Sequence, residues 1–100
     1  MPQLDLKKTF QQSEGVYSSE LGTETVLLHH TEGIYFGLKG LGVQIWPILE
    51  KPIDFITLIK KLEVHFETRP ESLDSEVEAF LVQLLEAKLI VGQNENPSSN

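Results

Sequence analysis

The hydrophobic pattern of this 100-residue chain changes period at Gly40, and that change limits the folds open to it. Before Gly40 the apolar residues alternate or run in short β-branched stretches. Val16 to Leu21 is a mixed strand signal, and Thr25-Val26-Leu27-Leu28-His29-His30 is a stronger one. Thr31-Glu32-Gly33 makes a turn, with Gly33 free to take positive φ. Ile34-Tyr35-Phe36-Gly37-Leu38 follows, so residues 24–30 and 33–39 read as a hairpin. In its second strand Ile34, Phe36 and Leu38 share one face, the expected core face. Tyr35, Gly37 and Lys39 share the other.

After Gly40 the spacing is helical. Leu41, Ile45, Ile48 and Leu49 fall near one stripe, with Trp46 beside it. Pro47 cannot donate to the Val43 carbonyl, so a kink or a short helix is expected. Phe55, Ile56, Ile59, Leu62 and Phe66 trace a second helix. Thr68-Arg69-Pro70-Glu71 reads as a capping box opening a third, with Thr68 as N-cap. The third helix, 71–88, carries a stripe of Leu73, Val77, Phe80, Leu81, Leu84 and Leu85. Leu89-Ile90-Val91 is a short apolar end able to pair as a strand. Strands followed by helices predict an α+β fold. The expected form is winged helix-turn-helix-like: a three-stranded antiparallel sheet, then three helices.

One domain is expected from this length, with 40% hydrophobic and 23% charged residues. Residues 1–14 read as a flexible N-terminal arm, 15–92 as the folded domain and 93–100 as a disordered tail. Fifteen acids against eight Lys and Arg give a net charge of −7, which opposes nucleic-acid and anionic-membrane partners. The chain has no cysteine, so disulfides, thiol nucleophiles and Cys-based metal sites are excluded. Its first residues show no signal-peptide pattern, and its apolar runs are too short to span a bilayer. A cytoplasmic location is expected.

Catalytic equipment is sparse. His29 and His30 are adjacent in a strand and point to opposite faces, and His65 stands alone. The acids of 71–88 read as a solvated helix face rather than a pair tuned for proton transfer. Gly37, Gly40 and Gly42 lack the Gly-Lys-Ser/Thr of a phosphate loop. The expectation is a non-enzyme with no metal or cofactor. A second stripe on the third helix, Asp74, Glu78, Leu81, Val82 and Leu85, has two readings. It is a helix broadly covered by packing, or it is one wall of a groove whose other side is the edge strand 33–39. Such a groove suits β-strand addition. Pattern alone favours the first.

Val26-Leu27-Leu28, Gly33-Ile34-Tyr35-Phe36-Gly37-Leu38-Lys39 and Gly42-Val43-Gln44-Ile45-Trp46-Pro47-Ile48-Leu49 together resemble the PqqD-like family. These are precursor-peptide recognition elements of ribosomal peptide modification pathways. Glu76-Val77-Glu78-Ala79-Phe80-Leu81, with Leu84 and Lys88-Leu89-Ile90, is similar to the family's final helix and close. The resemblance spans about residues 16–91. Lys39 replaces a usual Asn, Lys88 a usual Gly, and Pro47 is unusual. The Gly-x-Tyr-x-x-Leu form with Ile-Trp looks more like the stand-alone elements of lasso-peptide pathways than like the cofactor-pathway member.

The resemblance implies non-catalytic binding of the leader region of a precursor peptide. Ile34, Tyr35, Phe36 and Gly37 would pair with the leader backbone. Asp74, Val77, Glu78, Leu81 and Leu85 would form the helix wall, the acids meeting basic leader residues. The further partner would be a leader peptidase, a radical SAM enzyme or another tailoring enzyme, and the exposed edge also offers a route to a homodimer. The alternative is a winged-helix interaction or DNA-binding domain without a peptide ligand. Five acids against one Lys in 71–88 count against DNA.

Overall fold

A computed structural model describes residues 7–94. Nine elements follow in order: β1 (Lys8–Gln12), β2 (Val16–Leu21), β3 (Glu24–His29), β4 (Ile34–Leu38), α1 (Leu41–Ile48), β5 (Ile53–Asp54), α2 (Phe55–Glu63), α3 (Leu73–Glu86) and β6 (Ile90–Asn94). The architecture is α+β, with antiparallel sheets and three helices. It has two three-stranded sheets rather than the single one expected, ordered β2-β3-β4 and β5-β1-β6.

The hairpin expected from the turn at Gly33 is present. His29 pairs with Ile34, Leu27 with Phe36 and Thr25 with Leu38. Thr25, Leu27, His29 and Leu38 are buried, while His30, Tyr35 and Gly37 face solvent. The Glu32 amide donates to His29 Nδ1 at 3.3 Å, and the Gly33 amide to the His29 carbonyl at 2.8 Å. These bonds hold the turn and so fix where β4 begins.

Inside the segment expected to be a loose arm, Lys8–Gln12 is the central strand of the second sheet. It pairs with β5 on one side and β6 on the other. Phe10 is 2% exposed and belongs to the core. One apolar residue shows no period, and the partners lie far along the chain, so local pattern could not reveal this strand. β6 likewise continues through Gln93 and Asn94, past the expected boundary at 92. The rest of the expected arm and tail, 1–6 and 95–100, lies outside the described residues.

α1 is short, as Pro47 requires. The first amide beyond it, Leu49, reaches the Trp46 carbonyl at 3.0 Å. β1 seals this end: Gln12 Nε2 donates to the same Trp46 carbonyl at 2.8 Å, and the Gln12 amide donates to Leu49 O at 2.9 Å. α2 is capped by Asp54, whose Oδ1 accepts from the Thr57 amide at 2.7 Å.

α3 begins at Leu73 with Ser72 in the N-cap position, not at the expected Thr68. The connection from α2 therefore runs over residues 64–72, longer than the predicted Phe66–Pro70 turn. Helical bonding starts with the Glu76 amide on Ser72 O at 2.9 Å, and Arg69 lies in the connection before it: its Nε donates to Glu63 Oε2 at 2.6 Å and its Nη2 pairs with Asp74. It spans from the end of α2 to the first turn of α3, so residues 68–71 serve as the bridge. At the far end Lys88 takes φ 64°, with the Lys88 amide on Leu85 O at 3.0 Å and the Leu89 amide on Leu84 O at 2.9 Å. This is a Schellman closure, sealed by the buried Leu84 and Leu89.

Two outcomes follow, both measured by urea unfolding. Phe10→Ala costs about 3–5 kcal/mol, a large part of the stability of a small domain. Lys88→Gly gains about 0.5–1 kcal/mol, because glycine relieves the left-handed strain but loses more chain entropy.

Candidate functional site

β4 is the outer strand of its sheet, so among the described residues one side of its backbone has no strand beside it. In an antiparallel strand alternate residues turn both N–H and C=O outward, and this side can accept a further strand. Along β4, Ile34 and Phe36 are half-buried and Leu38 is buried, all on the core side. Tyr35 is 73% exposed and Gly37 is open, on the other side.

The chain leaves β4 through Gly40 directly into α1. A Cβ placed on Gly42 would stand 3.1 Å from Phe80 Cε1 and Cζ, and 3.7 Å from Leu38 Cβ. Glycine leaves room for the Phe80 ring to lie close to the α1 backbone, and any Cβ here would press the ring back by a few tenths of an ångström. That contact brings the Phe80 flank of α3 to the corner where β4 ends. Exposed Glu76 and Gln83 sit one turn to either side of Phe80 on the helix.

The wall inferred from the sequence lies differently. Val77 and Leu81 are fully buried and hold α3 on the core. Asp74 pairs with Arg69, which also holds Glu63 of α2, so Asp74 is on the flank toward α2. Glu78 and Leu85 continue that flank at helical spacing. Leu85 is half-buried against the core, and Glu78 is half-buried and already engaged. Asp74, Glu78 and Leu85 lie about 120–160° around the helix axis from Phe80. The structure therefore brings Ile34, Tyr35, Phe36 and Gly37 together on one strand, and places Phe80 rather than Asp74, Glu78 and Leu85 at the end of that strand. The spacing placed Phe80 in the core stripe. Its special position depends on the complementary gap at Gly42, which periodicity does not encode.

Among the described residues no three His, Asp or Glu side chains come together to hold a metal ion. No helix among them is long and apolar enough to cross a membrane. His29 Nδ1 accepts from the Glu32 amide in the turn, and His30 meets the Tyr17 ring edge-on at 6.0 Å. A ledge, made of an outer strand edge with a helix at its end, is what this arrangement provides.

The family model described as coenzyme PQQ synthesis protein D (PqqD) matches residues 24–90. The chain belongs to the PqqD family, as its hairpin and Ile45-Trp46 segment suggested. Among solved structures it is similar to TbiB1 in complex with the TbiA(beta) leader peptide. That likeness has a TM-score of 0.70 and 28% identity over 80% of this chain and 93% of that one. No curated protein matches the chain.

Gly42→Val tests the corner. Its added methyl groups collide with Phe80 and Leu38, and the expected cost is about 2–3 kcal/mol by thermal or urea unfolding. Arg69→Ala removes ion pairs that are well exposed on both sides and is expected to cost under about 1 kcal/mol.

Proposed function

We propose that this protein binds the leader region of a ribosomally made precursor peptide and does no chemistry itself. The observation that carries the reading is the likeness to a family member solved with a leader peptide bound. The free edge of β4 supports it, because an extended peptide laid there completes its hydrogen bonds as a fourth strand. Alternate residues among Ile34, Tyr35, Phe36 and Gly37 supply the backbone groups. Phe80, flanked by Glu76 and Gln83, supplies the helix side. Val77 and Leu81 hold α3 in place from beneath, Leu85 packs beside them, and Asp74 and Glu78 add to the negative field of the helix.

The bound leader is presented to a second protein, a leader peptidase or a tailoring enzyme such as a radical SAM enzyme, which gains in effective concentration. The form of the β4–α1 segment supports a place among the stand-alone elements of lasso-peptide pathways, acting in the cytoplasm. The charge of −7 favours basic leader residues and opposes nucleic acid. A homodimer formed through β4 would compete with the peptide for the same edge.

The test is fluorescence anisotropy with the labelled leader of the precursor encoded beside this chain's gene. Saturable binding is expected. N-methylation of alternate peptide amides should weaken it at least about tenfold in one register and leave it intact in the other. Phe80→Ala, shown folded by circular dichroism, should weaken it by a similar factor. Binding indifferent to N-methylation in both registers would overturn strand addition.

A further inference from the structure

Glycine inside a strand weakens it, and it commonly marks a bulge, a bend or a place where something else must come close. Gly37 sits in the middle of β4 and shows none of the internal reasons. The pairing runs unbroken from Thr25–Leu38 through Val26–Gly37 to His29–Ile34, so there is no bulge. Its φ is not positive, unlike that of Gly15, Gly22, Gly33 and Gly40. A Cβ built on it meets nothing within 4 Å. Nothing among the described residues requires the side chain to be missing.

The outer face of the sheet shows what the missing side chain leaves. Cross-strand neighbours form three rows: Tyr17, Leu28 and Tyr35; then Ser19, Val26 and Gly37; then Leu21, Glu24 and Lys39. The middle row is low and ends in nothing at the β4 edge. One neighbouring row stands high at Tyr35, and the other at Lys39, which is paired to Glu24 at 3.5 Å. The result is a slot open toward the free edge, with Val26 as its apolar floor and the Tyr35 ring as one wall.

Resting on the reading that a peptide adds to β4, we infer that Gly37 is a specificity slot. It takes one large apolar or aromatic side chain of the added strand. Directly opposed residues of neighbouring strands project to the same face, so the peptide residue opposite Gly37 enters this slot. A ring lying over a strand glycine covers backbone that is otherwise wet, and here it also gains Val26 and Tyr35. The slot therefore selects by size and apolarity at one peptide position. The next peptide residue on either side projects to the opposite face, where Phe36 and Phe80 lie.

The test uses the full chain and a displayed library of random 16-residue peptides, selected in parallel on the parent, Gly37→Val, Tyr35→Ala and Leu21→Ala. The parent should enrich peptides that share one large apolar or aromatic residue at a fixed position. Gly37→Val fills open space in a strand and should fold at least as stably as the parent. It should bind the parent's peptides about tenfold more weakly, and its own selection should put Gly, Ala or Ser at that position. Tyr35→Ala should also weaken the parent's peptides. Leu21→Ala, 62% exposed on the same face but two strands from the edge, should not. If Gly37→Val keeps the parent's affinity and residue preference, or if Leu21→Ala weakens binding as much as Tyr35→Ala, the slot is overturned while strand addition stands. If the folded parent enriches no saturable binder, the peptide-binding reading falls and the slot falls with it.

Discussion

The structure depends on one short segment held from all sides. β1 is gripped by β5 and β6 through its backbone and by the core through Phe10. Its last residue seals the end of α1 with both amide and side chain, and the next amide, Ser13, reaches Leu89 O at 2.9 Å. Pro47 gives α1 an early end, and an early end leaves carbonyls exposed. Gln12 satisfies one of them, Trp46 O, with a group that is itself fixed in a sheet. The position of α1, and through Gly42 and Phe80 the position of α3, is thereby referred back to β1.

The β4 ledge inherits its geometry from that frame. β4 is set at its start by the His29 turn and at its end by the passage through Gly40 into α1. Phe80 stays at the corner because Gly42 has no side chain to push it away. The ledge thus consists of a strand edge, an absent side chain at Gly37 and the Phe80 ring. Asp74 and Glu78, the acids expected to meet basic leader residues, each have a partner, and Arg69 uses Asp74 to join α3 to α2.

What was legible in the sequence was what local pattern encodes. The hairpin, its inward face, the short α1 and the helical stripe of α3 all follow from alternation, from Gly33 and Pro47, and from spacing by three and four. β1 and β5 were not legible, because a five-residue strand with one apolar side chain and a two-residue strand owe their existence to partners far along the chain. The start of α3 was misplaced because the Thr68–Glu71 box satisfies the local rule, yet Arg69 is drawn to Glu63 and Asp74 and Ser72 takes the cap position. The outer position of β4 was readable from the hairpin. Which flank of α3 meets β4 was not, because it depends on the Gly42–Phe80 fit between two elements.

The pairing of Phe10 with Gly92 also orders events in time. During synthesis β1 leaves the ribosome first and its longer partner, β6, last. Until then β1 has only the two residues of β5, too little to hold a strand. The hairpin β3–β4 and α1 can form earlier from neighbouring residues, but α1 stays unsealed until β1 is locked in place. The domain therefore completes its fold only after translation reaches β6, and that pairing closes a loop that spans most of the chain. A nascent chain cut short of Ile90 would carry the β4 edge without the frame that aims it.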